Sequence, residues 1–559
     1  MSQIENSQSP DIKKSLEHYR LAGRPPLYTL LYLSLGPILA QITGALKGII
    51  TTIWISHSIG DKGLSAVSTI GVYDGISRAF GFYIAASGSS RISQLYGEHK
   101  EEEASQVFAD LLRVCIIFGI LVPAILSPTI EPICRWFGAK DDLIPMCKEY
   151  MLPINIATFS TIMFIGLGGC LQGEGRSIFY SILNIITLVV NMAVLDPILL
   201  LGFKTGIWGA SCGQVSSEAI SAFLILYLYF SGKFGVKVKF RYLLRKFSPH
   251  TFPALKVGLS QLISNLSSLV PSLLVRKLFG MAVKEEFNDA MSGFNTIVRV
   301  FIFVNSLLIA FAMGFLPPAS YANASRLYHR WFHLVFHLLW LTFAWGTFCF
   351  IITFSLAKQI SLLFSSTPGY LKYAVPMIKN SNALNILCPG RFDAVSILQS
   401  LQMGIYSTIL SVSTNLVSIV GFSFLLYYCY KSDGAKIMWC YSLANGFGFI
   451  VSLIAISFPV RKLYLKMKEQ ENQQQIQNDQ NEDKKLDDFS EEENIEDISK
   501  SEDNSNHENS SNNENNSNNE KNSKNEDNSK DENSSNNENE SENNNIADQK
   551  DSTNIDEDL

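Results

Sequence analysis

No Gly-Lys-Ser/Thr phosphate loop occurs in this 559-residue chain, which speaks against direct use of a nucleoside triphosphate. There is no selectivity-filter repeat to suggest a channel, and no enzymatic or nucleic-acid site. The nine cysteines are scattered without metal-ligand spacing. Most of them (Cys115, Cys170, Cys212, Cys349) fall in apolar stretches, where Cys behaves as a small apolar residue. Cys134 and Cys147 share one predicted outer loop, and spacing alone leaves open whether they pair. The chain begins Met1-Ser2-Gln3-Ile4-Glu5. That start is too polar for a cleavable signal peptide, so the first helix is expected to act as its own insertion signal. Acidic residues are scarce before Glu469, with 22 against 38 basic ones. The last 91 residues reverse this, with 29 acidic and 7 basic. That Asn/Ser/Glu-rich stretch has almost no large apolar residues with which to offset its ordering entropy, so it reads as disordered.

What the chain has in abundance is long apolar runs. A membrane-crossing helix needs about 20 mostly apolar residues. Runs that qualify begin near Leu27, Leu64, Val107, Tyr150, Ile178 and Gly206, and again near Phe252, Ala290, Phe332, Tyr373, Ile405 and Ala435. The expected architecture is an all-α integral membrane protein of twelve transmembrane helices in two pseudo-symmetric six-helix lobes. Its parts would be an N-terminal segment (1–26), an N-lobe (27–231), a basic linker (232–251), a C-lobe (252–468) and an acidic tail (469–559). The basic clusters Lys13, Lys14, Arg20 and Arg24, the linker, and Arg461, Lys462, Lys466 and Lys468 would all fall on the cytoplasmic side, as the positive-inside rule asks. Leu171-Gln172 followed by Tyr180-Ser181-Ile182-Leu183 recurs as Leu398-Gln399 followed by Tyr406-Ser407-Thr408-Ile409-Leu410. An even number of helices per repeat predicts a parallel repeat, with the substrate path between the lobes.

The first set of helices ends in three linked motifs: Leu171-Gln172-Gly173-Glu174-Gly175-Arg176, Leu195-Asp196-Pro197, and Gly206-Ile207-Trp208-Gly209-Ala210. With Gly88, Ser93, Gly97 and Ala104 after the second helix, Pro318 to Asn323 after the eighth, and Asp393-Ala394-Val395 in the tenth, they resemble the multidrug and toxic compound extrusion (MATE) family. The resemblance covers roughly residues 27–460. It implies a polyspecific secondary exporter with two six-helix lobes, driven by inward H⁺ or Na⁺. Three departures stand out. Thr51 replaces the first-helix Asp of many members, Ser268 stands where a seventh-helix Glu is common, and Asn191 lies five rather than four residues before Asp196. The last change is expected to turn Asn191 onto another helix face.

Charges at membrane depth are functional candidates by default. Asp196, Asp393, Asp74, Asn191 and Thr51 are the candidates for cation coupling or substrate binding. Glu218, Arg299, Lys47 and Arg78 are the cavity candidates. Each has a structural alternative. Asp196 would bond backbone freed by Pro197, Asp393 would pair with Arg391 or with a neighbouring helix, and Asp74 would pair with Arg78 four residues on, with Lys47 able to join. Aromatic residues such as Tyr28, Tyr32, Tyr73, Phe80, Tyr83 and Phe294 could hold planar cations or simply pack. Glu174, between two glycines, reads as part of a structural turn.

The favoured reading is an exporter of organic cations or xenobiotics by H⁺ or Na⁺ antiport, with no cofactor beyond the coupling ion. It would work as a monomer in the plasma membrane or an acidic organelle membrane, with both termini cytoplasmic and a tail open to unknown partners. The alternatives are a lipid or lipid-linked saccharide flippase, for which the basic Lys47, Arg78 and Arg299 would suit an anionic head, and a non-pumping channel or receptor-like protein.

Overall fold

The computed structural model describes residues 16–59, 61–136, 141, 143–283, 287–364, 366–430 and 433–507. All regular structure among them is helical. The first half comprises α1 (Pro26–Ser58), α2 (Asp61–Gly97), α3 (Glu101–Leu126), α4 (Ile144–Ile156), α5 (Thr158–Gly173), α6 (Ser177–Val189) and α7 (Ile207–Phe230). The second comprises α8 (Thr251–Ala282), α9 (Phe287–Ala324), α10 (Tyr328–Ser355), α11 (Pro368–Asn382), α12 (Cys388–Ser400), α13 (Gly404–Ser411), α14 (Ser418–Cys429) and α15 (Trp439–His507). Residues up to Gln475 pack as one unit.

Among the described residues, nine helices are long and apolar enough to cross a membrane, or ten if the bent pair α4 and α5 is one span. That pair breaks by 51° at Ala157, four residues after Pro153. α2 is long enough to span but is not among the nine, and it carries Asp74, Arg78 and Arg91. The chain is therefore an all-α, multi-pass membrane protein.

The repeat read from short sequence matches has a backbone counterpart. His99 and Arg326, the residues that end α2 and α9, both adopt positive φ (58° and 56°) and are 227 positions apart. Gly175 and Gln402, which end α5 and α12, do the same (75° and 61°) at the same separation. In all four turns an N–H reaches back five residues: Lys100 to Leu95 (2.8 Å), Leu327 to Ala322 (2.9 Å), Arg176 to Leu171 (2.8 Å) and Met403 to Leu398 (2.9 Å). This left-handed helix ending satisfies carbonyls that a helix otherwise leaves orphaned. Of the four residues in this conformation only Gly175 is a glycine, and only it escapes the strain of a Cβ there.

One feature departs from the sequence expectation. The helix that carries the last span does not stop near Lys468, because α15 runs unbroken to His507. Gln, Glu and Lys are good helix formers, and extending an existing helix avoids the nucleation penalty. Residues 508–559, and Lys13 and Lys14 of the N-terminal basic cluster, lie outside the described residues. Cys134 and Cys147 are both buried and unbridged.

The linker between the halves is clasped by two buried carboxylates of the first half. Glu174 accepts hydrogen bonds from the N–H groups of Gly235 (3.1 Å) and Val236 (3.3 Å). Asp110 accepts from Ser248 N–H (2.7 Å) and Thr251 Oγ1 (2.6 Å), which anchors the start of α8. Both carboxylates are fully buried. Hydrogen bonds joining the halves cluster at this same end: Ser90 Oγ with Ser320 Oγ (3.2 Å), Ser325 Oγ to Gly97 O (3.0 Å), and Arg330 to the carbonyls of Arg24 (2.7 Å) and Leu21 (3.2 Å).

Candidate functional site

Four helices of the first half bring charge together. Glu218 on α7 is the hub. Its Oε1 accepts from Lys47 Nζ of α1 and Arg78 Nη2 of α2, each at 2.8 Å. Its Oε2 accepts from Thr161 Oγ1 of α5 at 2.7 Å. Arg78 Nε also donates to Asp74 Oδ2 at 2.8 Å, one helical turn away. Two cations thus meet two carboxylates, and the group is neutral. The pairing of Asp74 with Arg78 follows from their spacing. Sequence reasoning did not anticipate that Lys47 and Arg78 would converge on Glu218, and it missed Thr161, a lone hydroxyl in an apolar helix. Lys47, Asp74, Arg78 and Glu218 face a cavity of about 430 Å³ that Thr51, Tyr150 and Tyr180 also line.

Asp196 makes no hydrogen bond to this cluster among the described residues, although the Lys47 charge is near enough to act on it. α6 continues through two π turns, Val190–Leu195 and Pro197–Gly202. A π turn pairs residues five apart, as the bond from Asp196 N–H to Asn191 O records. It therefore places residues i and i+5 on one face. The expectation that Asn191 would face elsewhere assumed an ordinary α-helix and is corrected here: Asn191 Nδ2 donates to Asp196 Oδ1 at 2.8 Å. Asp196 is only 1% exposed. It packs on Gly213 of α7, where a Cβ would come within 2.4 Å of its Oδ1. π turns inside α-helices are uncommon and frequently mark functional sites. A third π turn, Val412–Val417, joins α13 to α14 in the corresponding part of the second half.

Asp393 on α12 is fully buried and accepts from Thr342 Oγ1 of α10 at 2.7 Å. It forms no ion pair with Arg391 among the described residues. Positions i and i+2 point to different sides of a helix, so the two cannot meet. Asp393 also lines neither cavity, whereas Arg391 faces the larger one. That larger cavity, about 1480 Å³, lies between the halves. It is bordered by Gln41 and Gln172 from the first half and by Arg299, Trp345, Phe364, Arg391, Tyr441 and Asn445 from the second. Arg299 rests over the Phe364 ring at 5.5 Å. Ser268, where the family often has Glu, also lines it.

Of the aromatic residues singled out from the sequence, Tyr28, Tyr32, Phe80, Tyr83 and Phe294 line neither cavity. Tyr28 and Tyr32 stack on each other, with Arg24 over both rings. Phe80 and Tyr83 pack on Phe118, and Phe294 packs on Phe279. The Tyr73 side chain lies outside the described residues. Large aromatics are common in any membrane helix, so their presence alone could not locate the cavity.

A polytopic helical chain with buried carboxylates at membrane depth, a repeated half and a cavity between the halves has the build of a secondary transporter. Residues 37–197 match the MatE family. The multidrug export protein MepA of Staphylococcus haemolyticus is 22% identical over 396 residues, covering 70% of this chain and 85% of MepA. An outward-facing multidrug resistance MATE family transporter of the MOP superfamily superposes with a TM-score of 0.74 at 20% identity, over 81% of this chain and 99% of that one. A MATE structure in the bent conformation gives 0.73 at 21% identity, over 81% and 99%. The chain shares the fold of these MATE structures, and its sequence is similar to the MatE family over residues 37–197 and to MepA over 70% of its length.

Proposed function

We propose that this chain is a proton-coupled antiporter that exports amphipathic small molecules by alternating access between two six-helix lobes, residues 27–231 and 252–468. In this reading α2, the bent pair α4/α5 and the consecutive helices α11 and α12 taken as one span bring the spans to twelve. The linker end of the molecule is the cytoplasmic one. The hydrogen bonds that join the halves at that end hold the inner gate shut, so the larger cavity is turned outward. Inward opening requires Ser90, Gly97 and Arg330 to release their partners.

The observation that carries the coupling is the state of the buried carboxylates. Glu218 and Asp74 are each held in an ion pair, whereas Asp196 forms none among the described residues: its hydrogen bond is to the Asn191 amide, and the nearby Lys47 charge is paired to Glu218. A carboxylate so buried is favoured in its neutral form unless a cation joins it. Na⁺ would need several oxygen ligands, and Asn191 presents an N–H to Asp196 instead. A proton needs only the carboxylate. Protonation removes the charge that fixes Asp196 to Asn191 and frees the π turns to return toward α-helical pairing. That shifts α6 against α1 and α7, which line the smaller cavity. Asp393, held only by Thr342, is the second-lobe candidate for the same role.

The test is transport in proteoliposomes loaded with a fluorescent amphiphile, under a pH gradient alone and under a Na⁺ gradient alone. The pH gradient is expected to drive efflux and the Na⁺ gradient to leave it at the passive rate. The reverse result would replace the proton by Na⁺.

A further inference from the structure

The larger cavity has a polarity opposite to what export of organic cations would need. Among its described lining residues there is no Asp, Glu or Lys, and there are two arginines. Among the described residues neither Arg299 nor Arg391 has an ion-pair partner. Arg391 Nε is buried with no hydrogen-bond partner, and Nη2 reaches only Cys388 Sγ at 3.7 Å. The carboxylates that could neutralise them are committed elsewhere. Asp393 is turned to Thr342, and Asp74 and Glu218 are engaged by Lys47 and Arg78. The remaining walls are apolar, amide or hydroxyl, with Ile302, Leu307, Trp345 and Ser268 among them.

An unpaired guanidinium at membrane depth is unfavourable, and an oxyanion relieves it. The planar fork of Arg matches carboxylate, sulfonate or phosphate oxygens two at a time. An organic cation in the same place would meet two like charges. We propose that the larger cavity binds an anionic amphiphile, with Arg299 and Arg391 gripping its oxyanion head and the apolar wall taking its body. The proposal rests on the transport reading above and names its substrate class. At about 1480 Å³ the cavity is larger than the usual small-molecule pocket, so the head could belong to a free amphiphilic acid or to an anionic lipid.

The experiment uses full-length purified protein and a matched pair of dyes: sulforhodamine B, which carries a net negative charge, and rhodamine 6G, a cation of similar body. Binding is measured for the parent, Arg299→Gln, Arg391→Gln, the double variant and Arg391→Lys, each first shown to melt near the parent. Sulforhodamine is expected to bind at least about tenfold tighter than rhodamine 6G. Each Gln substitution should weaken it about tenfold, Arg391→Lys should keep most of the affinity, and the double variant should no longer distinguish the dyes. Rhodamine 6G binding as tightly as sulforhodamine, with no change in the Gln variants, would overturn the assignment. Sulforhodamine bound through the arginines but moved under no gradient would keep the site and refute the transport reading. Fluorescent phosphatidylglycerol displacing sulforhodamine and crossing the bilayer only with active protein would assign the anionic head to a lipid. Displacement without crossing would assign it to a free amphiphile.

Discussion

Glu218→Gln tests the buried charge cluster most severely, because it keeps the shape of the side chain and removes only its charge. Glu218 is 2% exposed and accepts from two cations at 2.8 Å and from a hydroxyl at 2.7 Å. After substitution Lys47 and Arg78 share only Asp74, and the group carries one uncompensated positive charge at membrane depth. Removing one partner of a buried ion pair typically destabilises by about 3–5 kcal/mol, most of it from the charge left behind. The same reasoning predicts rescue. In Lys47→Met/Glu218→Gln the group is neutral again, with Arg78 on Asp74 alone, and more than half of the loss should return. Unfolding of a membrane protein in detergent is generally irreversible, so the readout is the midpoint of a thermal scan at one fixed rate. Glu218→Gln should melt well below the parent, with the double variant between them. A single variant that melts with the parent, or a double variant that melts below the single, would refute the view that these four residues form one neutral structural unit.

Three further expectations concern other parts of the fold. Burial raises the Glu174 carboxyl to about 7, against the pull of Arg176 and the two linker N–H groups. The folded protein then keeps a proton that the unfolded chain has released above its ordinary value of 4.5. Stability linked to Glu174 is therefore full below that value and is lost as pH rises through about 7, by about 3 kcal/mol in all. Thermal scans across this window should show the decline in the parent and a flatter profile in Glu174→Gln. Gly213→Ala would drive a Cβ to 2.4 Å from Asp196 Oδ1. It should cost about 1–3 kcal/mol and shift the pH dependence of transport, read in the same proteoliposomes. Gly175→Ala would place a Cβ at positive φ and 2.8 Å from Arg20 Cβ. A loss of about 1–2 kcal/mol is expected, seen as a lower melting midpoint without a change in substrate affinity.

The all-α, multi-pass fold and the likeness to MATE transporters were legible because both rest on composition and on motif order along the chain, although nine or ten of the twelve expected spans qualify among the described residues. The pairing of Asp74 with Arg78 was legible because it is local. What escaped was set by regularity or by distance. Asn191 was misplaced because a 3.6-residue period was assumed where the backbone makes a π turn. Pairing Asp393 with Arg391 overlooked that two residues along a helix turn a side chain to another side. Glu218 with Lys47, and Glu174 with Gly235, join residues 171 and 61 positions apart, and no local pattern announces such contacts. The polarity of the larger cavity was also out of reach. It depends on which acids are already occupied, and counting the arginines in the sequence cannot give that.

The central claim is that Asp196 couples a proton to transport, and Asp196→Asn tests it directly. The substitution keeps the side chain's shape and its place beside Asn191 while removing the titrating group. Efflux from proteoliposomes should lose its dependence on the imposed pH gradient while substrate binding stays close to the parent's. A variant that exports at the parent's rate, with the parent's pH dependence, would contradict the account.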